Sequence, residues 1–293
     1  MKYNNGKFSK SFLCSFLILI YSVLPNLFHN SILDASTLPC DTYPYVIVTI
    51  PKSGTHLILK LVFMFSKNPF RGLAIESSFK HETHTFPPHQ HATLEKFVRV
   101  FPKLQNESLV AHLNHGKLME QFTNLFTHYK RILMIRDPRD ICISTVFYIE
   151  DELSQILGPT SSFDERLLLI IQSEPHLENS LFNIKKEAQE ALAWMKDPLT
   201  TICRFENLCG PQGGGSLAAQ KAEIIKVANT FHIQLNDDQL EKMAKNLWGS
   251  SHTFRKGQIG TWKMHFTPKH KEAFKERMGD ILIQMGYETS NDW

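Results

Sequence analysis

Three short clusters along the chain carry the residue types that hold a polyanion. Pro51-Lys52-Ser53-Gly54-Thr55-His56 follows a β-branched run and precedes an apolar one. There Gly54 lets the backbone turn sharply, so that N–H groups at the start of a helix converge on an anion. Thr55 adds a hydroxyl donor and Lys52 a mobile positive charge. The pattern is not the GxxxxGK(S/T) nucleotide loop, and on these residues alone a plain Ser-Gly turn is the competing reading. The second cluster is Arg136-Asp137-Pro138-Arg139-Asp140, with Ser144 eight residues after Arg136. An arginine grips phosphate through two parallel hydrogen bonds, and a serine adds a short neutral donor. Asp137, Arg139 and Asp140 read as a salt-bridged turn. The third cluster, Arg255 to Thr267 (RKGQIGTWKMHFT), combines the cations Arg255 and Lys256 with Gly257, Gly260 and a Trp. A loop that folds over an anionic ligand and a solvated basic loop fit it equally.

Histidines supply the other chemistry. His112 ends the apolar stretch in VAHLN, and an imidazole with a pKa about 6.5 can take a proton at neutral pH. A lone His at a strand end is more often structural, and His115 is its nearby rival. His81, His84, His89 and His91 cluster at spacings that permit a metal. No carboxylate or Cys pattern completes a zinc set around them, so a loop is the expectation and no metal is expected. Cys14, Cys40, Cys142, Cys203 and Cys209 form neither a CxxC pair nor an even disulfide framework. Cys142 and Cys203 lie in apolar runs and read as buried thiols.

The elements that must position these groups alternate. Tyr43–Ile50 predicts a buried strand and His56–Ser66 a buried helix, with the Lys52 loop between them. SLVAHL (108–113), RILMI (131–135) and LTTICRF (199–205) predict three more strands. ICISTVFYIE predicts the helix after the arginine cluster. Residues 163–196 predict a largely helical segment with a break at Glu174-Pro175. GPQGGGS (210–216) reads as a flexible connector into a helix over 217–231, followed by helices over 237–247 and 268–285. Pro69 to about Phe101 has no period and reads as a long surface loop. Strands alternating with helices predict an α/β fold: a single domain with a central, mostly parallel sheet flanked by helices. Its ligand crevice would lie at the carboxyl ends of the strands, where Arg136 and Ser144 would face it.

With 293 residues, 42% hydrophobic and 21% charged, the chain can bury a full α/β core. A net charge of +3 suits an enzyme with one polyanionic ligand, and no nucleic-acid partner is expected. No internal repeat is evident. Residues 1–36 differ in kind: Lys2, Lys7 and Lys10 precede an apolar stretch over 11–28. This is the pattern of a secretory signal or an uncleaved signal-anchor, with residues 37–293 as the catalytic domain. The stretch is interrupted by Ser15, Ser22, Pro25 and Asn26, short for a membrane span. The expectation is a secretory or membrane-associated protein, with membrane association through residues 11–28; a cytoplasmic location stays open. The sequon at Asn106 decides nothing.

PKSGT after a strand, RDPRDxxxS after another and RKGxxGxWK in the last quarter, in that order, resemble the sulfotransferases that use 3′-phosphoadenosine 5′-phosphosulfate (PAPS). The likeness covers about Tyr45 to Gly286, and LCGPQGGGS also resembles members of that broad family. It implies sulfuryl transfer from PAPS to a hydroxyl or amine on a small-molecule or glycan acceptor, without metal. Lys52, Ser53, Gly54 and Thr55 would hold the 5′-phosphosulfate, with His56 where a hydroxyl residue is common. Arg136 and Ser144 would bind the 3′-phosphate, and Arg255, Lys256 and Gly257 would close over it. Phe205, in Phe205-Glu206-Asn207, would line the adenine pocket. His112 would be the general base for in-line attack on sulfur, with Lys52 stabilising charge on the bridging oxygen.

Four positions depart from the family pattern. Val110 replaces a Lys, Leu57 an adenine-stacking Trp, and Thr261 and Met264 alter the loop around Trp262. They keep a non-catalytic nucleotide-binding descendant open as an alternative. A P-loop kinase-like phosphotransferase is the more distant one, lacking the Walker pattern and an evident magnesium carboxylate. Acceptor choice would lie in 69–101 and 150–179.

Overall fold

A computed structural model describes residues 44–65, 70–74, 108–112, 129–172, 183–249 and 256–293. The N-terminal segment 1–36, the four-histidine cluster, His115 and Arg255 lie outside these residues. No helix among those described is long and apolar enough to cross a membrane.

The chain runs β1 (Tyr45–Thr49), α1 (Thr55–Phe63), β2 (Phe70–Ala74), β3 (Ser108–His112), β4 (Lys130–Ile135), α2 (Pro138–Tyr148), α3 (Glu150–Leu157), α4 (Phe163–Gln172) and α5 (Ile184–Met195). It continues through β5 (Thr200–Arg204), α6 (Phe205–Leu208), α7 (Leu217–Thr230), α8 (Asp237–Leu247), α9 (Trp262–His265) and α10 (Pro268–Gln284). The five strands form one parallel sheet in the order β2-β3-β1-β4-β5. Helices cover both faces, as the alternation of elements predicts.

Period-two alternation in β1 and β4 divides the core between those faces. Val46, Val48, Leu133 and Ile135 pack with α2, α4, α5 and α10. Tyr45, Ile47, Ile132 and Met134 pack with α1, α7 and α8. Both strands are buried on each side, which is why they read as continuous apolar runs rather than as alternating ones.

Two expectations need correction. The loop over 69–101 begins with strand β2, whose FRGLA composition hides it: one Gly and one Arg in five residues dilute the β signal. The partner strand supplies its order, with Phe70–Ala74 in register with Ser108–His112 at the sheet edge. The GPQGGGS connector is a packed turn with a short 3₁₀ segment, Pro211–Gly213. The predicted 163–196 helical segment is two helices, α4 and α5; residues 173–182 between them are outside those described.

Chain order reverses around β1, since β3 lies on one side of it and β4 on the other. In open parallel sheets the carboxyl ends of the strands at such a switch point, here β1, β3 and β4, are where ligands bind. The last residues of those strands are Thr49, His112 and Ile135, with Arg136 next in the chain.

Candidate active site

The turn after β1 is shaped by two residues in the left-handed region, Lys52 (φ 68°) and Gly54 (φ 108°). Gly54 is the N-cap of α1. A Cβ there would come within 2.8 Å of Met134 Cε and Phe205 Cδ2, so glycine is required for space as well as for conformation. Ser53 is fully buried. Its N–H donates to the Ile50 carbonyl (3.0 Å) and its hydroxyl to the Met134 carbonyl (3.1 Å), which bind the loop to β1 and β4. Thr55 Oγ1 donates to Thr49 Oγ1 at 2.9 Å. Thr55 and His56 occupy the first turn of α1, whose opening N–H groups have no intrahelical acceptor. The first turn carries no acidic residue, so nothing there competes with an incoming anion. Lys52 reaches across the loop, its Nζ 3.6 Å above the Tyr148 ring.

Arg136 joins the three motifs. Its Nη1 donates to the Lys52 carbonyl (3.2 Å) and its Nη2 to the Gln258 carbonyl (2.9 Å). The guanidinium carbon lies 4.4 Å from the centre of the Phe205 ring, and Asp140 Oδ2 is 3.9 Å from Nη2. The side chain is buried, yet its Nε–H has no partner among the described residues. A buried guanidinium with an unused donor is the expected state of a group that awaits an anionic acceptor. Ser144, half-buried on α2, follows two turns on.

The acids of the second cluster divide their work. Asp137 caps α2 by accepting from Arg139 N (2.9 Å) and pairs with the Arg139 guanidinium (2.8 Å from Nη2). Burial pushes the Asp137 carboxyl up despite Arg139 beside it. The Arg139 guanidinium carbon lies 3.8 Å from the Trp262 ring centre and 4.5 Å from that of Trp293, and the side chain pairs with Glu288 at 2.7 Å. This is the salt-bridged turn the sequence predicts, and Asp140 joins it through Arg136 at 3.9 Å while also reaching the C-terminal loop. Asp140 accepts from Gly260 N (2.7 Å), Thr261 Oγ1 (2.8 Å) and Trp262 N (2.9 Å), anchoring the C-terminal loop to the start of α2. Glu206 Oε1 accepts from Asp137 N at 2.8 Å, and burial raises its carboxyl above the usual range. Asp140, Glu206 and Gln258 escaped sequence reading, because each acts on a residue more than sixty positions away.

Phe205 is buried against both Gly54 and Arg136, so its ring forms one wall of the site. Lys256 is exposed and Gly257 takes a left-handed φ of 59°, just before the Gln258 carbonyl that meets Arg136. His112 is the last residue of β3, with its backbone in register with Thr49 of β1 and Ala74 of β2. Fold and backbone thus bring Lys52, Gly54, Thr55, His112, Arg136, Phe205 and Gln258 to one end of the sheet.

Comparison with known proteins bears on the fold and the family. Residues 44–171 match the family model of the sulfotransferase domain. The chain is 26% identical to Sulfotransferase 2B1 of Mus musculus, over 84% of this chain and 74% of that protein. It is 23% identical to Sulfotransferase 6B1 of the same species, over 81% and 75%. Among solved structures, mouse sulfotransferase SULT7A1 complexed with PAP matches with a TM-score of 0.56 at 16% identity. That match covers 90% of this chain and 96% of the other, a likeness of fold.

Proposed function

Because the chain belongs to the sulfotransferase family, we propose that it transfers a sulfuryl group from PAPS to a hydroxyl or amine acceptor. The observation that carries this reading is the convergence on Arg136. One buried guanidinium bonds the backbone of the Lys52 loop and of the Gln258 loop, and keeps Nε–H for a ligand. A nucleotide with phosphates at both ends needs such a pair of anion sites, one at a helix N-terminus and one at an arginine.

The 5′-phosphosulfate would lie on the turn Lys52–Thr55 at the start of α1, and the 3′-phosphate between Arg136, Ser144 and the Lys256–Gly257 segment. Phe205 would pack against the adenine. His112 would take the proton from the acceptor hydroxyl as its oxygen attacks sulfur in line. The bond between sulfur and the bridging oxygen then breaks. Its electron pair leaves on the 5′-phosphate of adenosine 3′,5′-bisphosphate, where Lys52 offsets the growing negative charge. The Lys52 ammonium, now over Tyr148, would leave that ring to do so.

Calorimetric titration of residues 37–293 with adenosine 3′,5′-bisphosphate and with adenosine 5′-phosphate tests the donor site. The expected result is much tighter binding of the bisphosphate, and loss of that preference in Arg136→Ala. Equal, weak binding of both nucleotides would overturn the reading.

A further inference from the structure

The glycine-rich turn Gly210–Gly215 is among the most constrained segments of the fold. Gly213, Gly214 and Gly215 donate back within it to Gly210, Pro211 and Gly210 at 3.1, 3.1 and 2.8 Å. A Cβ at Gly213 would press on Cys209 Sγ and the Trp248 ring at 2.7 Å, and one at Gly215 on the Glu206 carbonyl at 2.8 Å. Such a turn holds its outward carbonyls in place, and two of them receive the C-terminal loop. Ile259 N donates to the Gly213 carbonyl at 3.0 Å, and Gln258 Nε2 to the Gln212 carbonyl at 2.8 Å. The Gln258 amide also reaches the Lys256 carbonyl at 3.2 Å. The same residue's own carbonyl accepts from Arg136 Nη2. Nothing in the catalytic reading uses the side-chain contacts of Gln258 or its seat on the turn.

We infer that Gln258, clamped to the Gly210–Gly215 turn by its side chain and holding the Arg136 guanidinium by its carbonyl, is a positioning residue that sets the nucleotide site's preference for a 3′-phosphate. The inference rests on the donor-site reading above. A guanidinium offers its donors in one rigid plane, so its usefulness to a phosphate depends on the plane's orientation. One of its fixing acceptors is the Lys52 carbonyl in the phosphosulfate loop and the other is Gln258. Asp140 holds Gly260 to Trp262 but leaves 256–259 to the turn. Releasing Gln258 therefore frees the acceptor on the Nη2 side and the segment bearing Lys256, while the turn at Lys52–Thr55 stays intact.

The test is calorimetry on the full chain with adenosine 3′,5′-bisphosphate and adenosine 5′-phosphate, comparing wild type, Gln258→Met and Gly214→Ala. Methionine keeps the length of the side chain and loses both hydrogen bonds. Alanine at 214 strains a left-handed backbone (φ +90°) and sets a methyl 3.2 Å from Ile259 Cγ1, disturbing the same loop from the turn side. Each variant is expected to bind the bisphosphate about tenfold more weakly, the scale of one net hydrogen bond, with affinity for adenosine 5′-phosphate unchanged. A uniform loss for both nucleotides, or an unchanged ratio in both variants while wild type discriminates, overturns the inference alone. A wild type that does not discriminate overturns the donor-site reading and this role with it. Should Gln258→Met fail to fold, the Gly214→Ala ratio decides.

Discussion

The start of α2 and the middle of α5 both bury carboxylates almost completely, and they treat them in opposite ways. Asp140 accepts three hydrogen bonds from Gly260, Thr261 and Trp262, with Arg136 nearby. Glu190 on α5 sits in a setting where burial pushes its carboxyl from 4.5 up to about 8, against the pull of Lys186. Three donors directed at Asp140 make it the anchor of the C-terminal loop, whereas at Glu190 desolvation outweighs the pull of Lys186 and favours the protonated carboxyl. Donors converge at the start of α2 because there two distant segments are held within hydrogen-bond reach of one guanidinium.

Replacing the anchor should have the largest effect. Asp140→Ala leaves two backbone N–H groups and a threonine hydroxyl buried without acceptors, and is expected to cost about 3–5 kcal/mol of folding stability. Chemical denaturation measures this, and a loss under ~1 kcal/mol would mean the loop is held by packing instead. His112→Ala comes next, with transfer expected to fall by about 10²-fold or more while nucleotide binding stays largely intact. Full turnover in that variant would move the general base elsewhere.

Gly54→Ala tests the crevice by crowding rather than by charge. The methyl would meet Met134 and Phe205 on a backbone at φ 108°, for an expected loss of about 1–3 kcal/mol, read as a lower Tm. Glu190→Gln should go the other way, and only at high pH. The folded carboxyl binds its proton more tightly than the unfolded one, so stability falls as pH rises from about 4.5 to about 8. Gln removes that slope. The variant should gain over wild type by roughly 1.4 kcal/mol for each pH unit above about 4.5, several kcal/mol by pH 8, and nothing at pH 4. A gain that is the same at both pH values would show that the Glu190 carboxyl does not titrate with folding, and the contrast between the two regions would disappear.

Much of the fold was legible because its signals are local. The apolar runs of β1 and β4 and the caps of α8 and α10 come from neighbouring residues: Asn236 with Gln239, and Thr267 with His270. Strand β2 was not legible, since an edge strand containing Arg71 and Gly72 depends on its partner for order. The glycine-rich turn misled for a related reason. Glycine permits many conformations, and only the Cys209, Trp248 and Glu206 atoms packed around Gly213 and Gly215 select one of them.

Residue types and short-range spacing by themselves determined the α/β class, the turn at Lys52–Thr55 between β1 and α1, and the place of Arg136 at the end of β4. Each is a property of a strand end and the few residues after it. Tertiary structure alone decided that Arg136 rests on the Lys52 and Gln258 carbonyls, that Asp140 anchors the loop through Trp262, and that Phe205 excludes a side chain at Gly54. Those contacts join residues from 84 positions apart, Lys52 with Arg136, to 151 apart, Gly54 with Phe205. No local pattern encodes such a pairing, because it exists only once the parallel sheet has brought the ends of its strands together.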